Sequence, residues 1–242
     1  MLRILLTGKT GQLGWELQRA LAPMGRVIAL DRVQMDLTNA DSIRKAIRDA
    51  APGIIVNAAG YTTVDKAESE PDLAMQVNAA APGVMAEEAK RIDALLVHYS
   101  TDYVFDGTRS TPYVEEDAPN PLNVYGKSKL EGERAVAASG CAHLTLRASW
   151  IYSARGTNFV LTILRLARER KELAIVDDQI GSPTWARALA ESTAELLRNI
   201  RLPKEQSGIY HLSAQGYTTR FNFAKRILEI SREISPSAVG AP

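Results

Sequence analysis

Two periods alternate along this chain. Short runs that are apolar at successive positions fall at 3–7, 26–30, 53–58, 95–100, 144–148, 174–176 and 209–212. Between them, apolar residues return every three or four positions. Leu13, Leu17, Leu21 and Met24 do so, and so do Ile43, Ala46, Ile47 and Ala50, which stop before Pro52. Later helical patterns cover 129–138, 159–170, 186–200 and 221–230. A short continuous apolar run predicts a strand buried on both faces, and the longer period predicts a helix with one buried face. Strand then helix, repeated, predicts an α/β fold, a doubly wound parallel sheet of Rossmann-like type covered by helices. The stretch 102–123 is rich in Asp, Pro, Gly and Thr and predicts a loop excursion. The end, 235–242, has no core-forming pattern and is expected to be loose.

Composition narrows the function classes. The chain of 242 residues is long enough to bury a full core. Its net charge of +1 makes no electrostatic case for nucleic acid or a membrane surface. Cys141 is the single cysteine, which excludes an intrachain disulfide and suits a reducing compartment. The opening apolar run is only a strand long and meets glycines at once, so it predicts neither a leader nor a membrane span. A cytoplasmic protein is expected.

Directly after the first predicted strand stands Thr7-Gly8-Lys9-Thr10-Gly11-Gln12-Leu13-Gly14. A tight turn from strand into helix needs positions without a Cβ. One glycine allows the turn, one lets the backbone approach phosphates, and one lets the helix pack on the strand. Gly8, Gly11 and Gly14 have that spacing, with the helix beginning at about Gln12 and its N-terminus aimed at the anion. Asp31 follows Gly8 by 23 residues, at the end of the second strand, where a carboxylate would accept hydrogen bonds from an adenosine ribose. Arg32 would instead meet a 2′-phosphate or lie in solvent. Asp36 would reach the adenine side or start the turn before the next helix. The third strand ends in Asn57-Ala58-Ala59-Gly60-Tyr61-Thr62, whose small residues would let a dinucleotide cross the carboxyl edge of the sheet.

Further on, Ser100-Thr101-Asp102 precedes Tyr125-Gly126-Lys127-Ser128-Lys129. Four residues apart on a helix, Tyr125 and Lys129 share one face. A free phenol has a pKa of about 10, and a neighbouring ammonium lowers it. Lys129 would also hold a nicotinamide ribose, and Thr101 would hydrogen-bond the same substrate oxygen as the tyrosine. Glycine loop, Asn-Ala-Ala-Gly, Ser-Thr-Asp and Tyr-x-x-x-Lys, in that order, predict an NADPH- or NADH-dependent oxidoreductase acting at a carbonyl or alcohol carbon.

With these motifs the chain resembles the extended short-chain dehydrogenase/reductases and, within them, the dTDP-4-dehydrorhamnose reductases. The stretches that carry the likeness are Gly8–Leu17, Val56–Glu68, His98–Gly107, Pro121–Lys129, Arg147–Tyr152 and Asp178–Thr184. The resemblance implies reduction of the C4 ketone of a dTDP-linked 4-keto-6-deoxy sugar. It implies catalytic Thr101, Tyr125 and Lys129, with Asp102 and Trp150 against the sugar nucleotide. Gly11, Gln12, Leu13, Asp31, Asp36, Leu37, Gly60, Tyr61 and Thr62 would line the dinucleotide. It divides the chain into a dinucleotide-binding part, 1–150, and a mixed part, 151–242, which returns in part to the core and in part forms a small C-terminal substrate lobe. Family members are expected to run longer, with a last segment that completes the lobe. The resemblance admits a homodimer, and for some relatives magnesium at a subunit contact. Here Glu16 is a lone carboxylate and Arg187 stands where a second acidic ligand would help, so no metal site is assigned.

Two other readings compete. A non-catalytic nucleotide-sensing subunit would keep the glycine loop without needing Thr101, Tyr125 and Lys129. A nucleotide-sugar epimerase would hold its nicotinamide through the cycle. A 4,6-dehydratase would need an acid pair after the threonine, where this chain has Asp102 and Tyr103.

Overall fold

The protein is described by a computed structural model, in which residues 1–199 and 206–235 are described. The chain opens with β1 (Arg3–Thr7), α1 (Gln12–Leu21), β2 (Arg26–Leu30), α2 (Ala40–Ala50) and β3 (Ile54–Asn57). A helical stretch follows: α3 (Val64–Ala67), α4 (Pro71–Met75), a π-helical segment Gln76–Ala80, and α5 (Ala81–Arg91). Then come β4 (Leu95–Thr101), α6 (Val124–Ser139) and β5 (His143–Ala148). The remainder carries β6 (Ile151–Tyr152), α7 (Phe159–Glu169), β7 (Ile180–Gly181), β8 (Thr184–Trp185), α8 (Ala186–Asn199), β9 (Gly208–His211), β10 (Thr218–Thr219) and α9 (Arg220–Ile234).

Six strands form one parallel sheet in the order β2-β1-β3-β4-β5-β9. Both faces are covered, which is why the strands read as continuous apolar runs. On one face Ile4, Leu6, Val56, Val97 and Leu146 pack against Leu13, Leu17 and Leu21 of α1 and Leu189 and Ala190 of α8. On the other, Leu5, Ile55 and Leu96 meet Ile43 and Ile47 of α2 and Met85, Ala86 and Ala89 of α5. A fully buried side chain of this kind contributes about 1.5–3 kcal/mol. The doubly wound Rossmann-like fold is therefore present.

Past β5 the chain builds a smaller layer beside the sheet. β6 pairs with β8 in parallel and β7 with β10 antiparallel. Ile163 of α7 and Ala224 and Ile227 of α9 form its core, with Leu173 and Ile175 packed on it. The strand predicted at 174–176 does not form, and the segment runs as irregular chain. Its apolar residues pack on the α7–α9 pair rather than onto a strand ladder, and three apolar positions do not distinguish the two. The helical stretch from Pro71 to Arg91, in contrast, is missing from the sequence reading. Its buried residues are largely alanines, among them Ala74, Ala81, Ala86 and Ala89, which give a weak periodic signal. Position 200 of the predicted helix 186–200 and most of the predicted loose end, 236–242, lie outside the described residues. Among the described residues no helix is long and apolar enough to cross a membrane.

Candidate active site

The sheet's strand order turns back on either side of β1, since β2 lies on one side and β3 on the other. Open α/β sheets bind ligands in the crevice at such a point, beyond the carboxyl ends of the strands. There Gly8 has φ +72°, and a Cβ on it would stand 3.0 Å from the Ala58 carbonyl. A Cβ on Gly14 would come within 2.0 Å of the Gly8 oxygen, so α1 seats directly on the loop. Gly11 caps α1 with no side-chain acceptor. By comparison Asn39, Asn123, Asn158 and Thr219 cap α2, α6, α7 and α9 with side-chain oxygens. The uncapped N-terminus of α1 thus faces the crevice with a loop that lacks Cβ atoms at Gly8 and Gly11, which fits a dinucleotide pyrophosphate.

Around this loop the predicted cofactor residues divide. Gln12 reaches across to the smaller layer, accepting from Ser153 Oγ (3.2 Å) and Asn158 Nδ2 (2.9 Å). Leu13 is buried in the core under α1. Asp31 accepts the amides of Val33 and Gln34 and pairs with Lys9 Nζ at 2.9 Å. The hydrogen bond from Lys9 and those amides hold its carboxyl below the usual range. Arg32 is exposed beside it. Asp36 accepts the Thr38 amide and hydroxyl at 2.9 and 2.8 Å, so it fixes the turn before α2. Leu37 is half-buried against the α2 face.

Gly60, Tyr61 and Thr62 follow β3 at the same edge. Asn78, which the sequence reading passes over, fastens them. It lies in the π-helical segment, buried, and accepts the Tyr61 amide (2.8 Å) while donating to the Tyr61 carbonyl (2.9 Å) and to Ser128 Oγ (3.0 Å). One side chain therefore ties the crevice floor to α6. Gly132 lets the two helical elements meet, since a Cβ there would be 2.1 Å from the Asn78 oxygen. No sequence motif signals Asn78, because its π-helical setting appears only in three dimensions.

Thr101 at the end of β4 and Tyr125 at the start of α6 face each other, and Lys129 lies one turn further along α6. The Tyr125 phenol faces the Thr101 hydroxyl, and burial raises its pKa. Thr101 Oγ1 donates to Asp102 Oδ1 at 3.0 Å, and Ser149 Oγ donates to Asp102 Oδ2 at 2.6 Å. Burial raises the Asp102 pKa as well. Lys129 is buried, and its ammonium donates to the Tyr99 carbonyl at 2.6 Å. Burial brings its pKa down to about 8, with Glu133 one turn further along α6 opposing the fall. The phenol is thus shifted upward by burial, and the lowering by the lysine charge that the spacing suggests is not found. Below this set, Glu133 takes a two-point ion pair from buried Arg147 (2.9 and 2.7 Å), which joins α6 to β5.

Trp150 stands at the mouth in a left-handed backbone, φ +44°, which is uncommon for a bulky residue and accumulates at functional sites. Its ring is not bare. The Arg220 guanidinium lies 3.5 Å from the ring centroid, and a Cβ on Gly181 would meet the indole at 2.3 Å. Arg220 also faces Tyr103 and is attracted by Tyr103 and Asp102. Sequence reasoning gives no reason to choose this arginine from the others. Glu16 stands apart from the mouth, with Arg19 at 2.6 Å and Arg187 at 3.3 Å. Glu191 of α8 lines the same pocket, so Glu16 is not the lone carboxylate that the sequence suggests, but two guanidinium groups already balance the Glu16 charge and leave little pull on a divalent cation. Among the described residues no group of three or more His, Cys, Asp or Glu side chains is arranged for one.

Comparison with known proteins places this geometry. The family model described as the RmlD substrate binding domain matches residues 2–240. The dTDP-4-dehydrorhamnose reductase of Burkholderia thailandensis is 48% identical over 241 residues, covering 98% of this chain and 81% of that protein. The protein of the same name from Escherichia coli K12 is 48% identical over 236 residues, covering 96% and 79%. A crystal structure of dTDP-4-dehydrorhamnose reductase from Bacillus anthracis in complex with NADP superposes with a TM-score of 0.87 at 38% identity, covering 96% of this chain and 82% of that one. A UDP-glucose 4-epimerase from Thermus thermophilus, at 19% identity and a TM-score of 0.79, shares the fold. By motif, fold and sequence, the chain belongs to the RmlD substrate-binding-domain family, that of the dTDP-4-dehydrorhamnose reductases.

Proposed function

We infer that this chain reduces the C4 ketone of dTDP-4-dehydro-6-deoxy-L-mannose to dTDP-L-rhamnose, with NADPH or NADH as reductant. The observation that carries the reading is one edge of the sheet, in a chain of this family, that bears both an uncapped, glycine-lined helix terminus after β1 and Thr101 at the end of β4, with Tyr125 and Lys129 on α6 beside it. The dinucleotide, when bound, supplies the hydride. The chain's own residues hold the partners and move the proton.

Gly8, Gly11 and Gly14 leave room for the pyrophosphate, and the amides of Gln12 and Leu13 face it. Asp31, Arg32, Asp36 and Leu37 serve the adenosine end, and Gly60, Tyr61 and Thr62 the floor. Tyr125 donates its hydroxyl proton to the C4 oxygen, and Thr101 holds the same oxygen. General acid catalysis of this kind contributes about 10²–10⁴-fold. Lys129 moves from the Tyr99 carbonyl toward the nicotinamide ribose and, from there, favours the phenolate that remains. Asp102 and Trp150 contact the sugar nucleotide, Trp150 as one partner of an indole–guanidinium stack with Arg220. Residues 1–150 form the dinucleotide half. Of the part 151–242, α8 and β9 belong to the core, and the layer of α7 and α9 to a lobe for the sugar nucleotide. The charge balance and lone cysteine fit a cytoplasmic enzyme, and a homodimer fits the resemblance.

The test is cofactor stoichiometry with product analysis. A reductase consumes one added NADPH or NADH per ketone lost and yields a dTDP-6-deoxyhexose. Protein that carries tightly bound NAD and turns over without added reductant would overturn the reading in favour of an epimerase.

A further inference from the structure

Lys9 lies inside the glycine loop, yet cradling a pyrophosphate does not use its side chain. Its backbone amide donates to the Leu30 carbonyl at 3.2 Å, which pins it beside the end of β2. Its ammonium lies 2.9 Å from Asp31 Oδ2 and also donates to Gln34 Oε1. Asp31 Oδ1 is engaged elsewhere, by the amides of Val33 (3.1 Å) and Gln34 (3.2 Å). The carboxylate is therefore fixed by its own turn, while the lysine reaches it on a four-carbon stem.

A carboxylate at this point of the fold accepts a hydrogen bond from an adenosine 2′-hydroxyl and opposes a 2′-phosphate. Taken alone, Asp31 would select NADH. A lysine already on that carboxylate reverses the argument. A half-buried ion pair that water still reaches holds its partners modestly, and an ammonium is a point charge free to turn. A phosphate dianion beside it offers more charge than one carboxylate. Arg32 adds a second positive charge next door, where it acts on Asp36.

We propose that Lys9 is a specificity-determining residue for the dinucleotide. Its ammonium stays on Asp31 beside a 2′-hydroxyl and turns to the phosphate oxygens beside a 2′-phosphate, so the chain accepts both cofactors. This rests on the reading that the dinucleotide binds at the glycine loop.

The experiment is equilibrium binding of NADPH and of NADH to the wild type, Lys9→Met, Lys9→Arg and the double variant Lys9→Met/Asp31→Asn. Lys9→Met should weaken NADPH by at least about tenfold, the loss of one charge-assisted contact. NADH should change by less than about threefold, since only a half-buried, water-accessible ion pair is lost. Lys9→Arg should keep most of the NADPH affinity. The double variant should recover part of it, because the carboxylate that repels the phosphate is gone. The NADPH-to-NADH affinity ratio should fall with added salt in the wild type and respond less in Lys9→Met. Equal losses for both cofactors, or an unchanged ratio, would overturn the proposal. Wild-type protein that binds neither dinucleotide would overturn the reading of the site, and this proposal with it.

Discussion

Tyr125 is the proton donor of the proposed reaction, and its surroundings fix what its loss should do. Tyr125→Phe keeps the ring and removes the hydroxyl that faces Thr101. Turnover should fall by about 10²–10⁴-fold while dinucleotide affinity stays within a small factor. A variant that keeps more than a tenth of wild-type turnover would remove Tyr125 from the acid role. Lys129 makes a second prediction, in which function and stability oppose each other. Its pKa of about 8 lies below the ordinary 10.5, so protonation favours the unfolded chain. Carrying that charge costs the fold about 3 kcal/mol below pH 8, and the cost disappears as pH rises from about 8 towards 10.5. Lys129→Met should lose turnover and nicotinamide affinity, yet melt no lower than wild type at pH 7, with the difference shifting in favour of wild type as pH rises. A variant that melts far lower at pH 7, with a difference independent of pH, would mean that the charge costs the fold nothing. The pair was legible in the sequence because helical spacing alone puts position 125 and position 129 on one face. Asn78 and Arg220 were not, because each acts through contacts made across the fold, at Tyr61 and Ser128 in one case and at Trp150 in the other.

The same contrast holds for strands and helices. Six of the seven predicted strands form the sheet, because burial on both faces leaves an unbroken apolar run that polar loops interrupt. The run at 174–176 packs on helices instead, and the alanine-rich helical stretch from Pro71 to Arg91 gives too weak a periodic signal to read. The glycine loop was legible as a spacing, but the reason for its third glycine is a contact between elements. A Cβ at Gly14 would stand 2.0 Å from the backbone oxygen of Gly8, where no side chain can yield. Gly14→Ala should therefore push α1 off β1, with a stability loss of about 1–3 kcal/mol from overpacking. It should also weaken both dinucleotides, because the helix terminus moves with the loop. Denaturant unfolding together with cofactor titration checks this. Normal stability with normal affinity would show that α1 tolerates the methyl group and that the seat on Gly8 is looser than the geometry indicates.

Taken together, the fold places a dinucleotide crevice at the turn-back of the strand order and a second, smaller layer over its mouth. The two are joined by short contacts: Gln12 with Ser153 and Asn158, Ser149 with the Ser182 amide, and Arg220 over Trp150. Such an arrangement fixes a substrate at both ends. The nucleotide lies far from the reacting carbon, and its binding energy can hold C4 in line with the hydride and with Tyr125. The dTDP-linked sugar should then exceed the free sugar in kcat as well as in kcat/KM. The decisive measurement follows the loss of reduced nicotinamide by purified protein, with dTDP-4-dehydro-6-deoxy-L-mannose and with the same sugar lacking the nucleotide. Rapid oxidation with the first and little with the second is the predicted result. No oxidation with the dTDP-linked ketone, or equal rates on both sugars, would contradict the assignment.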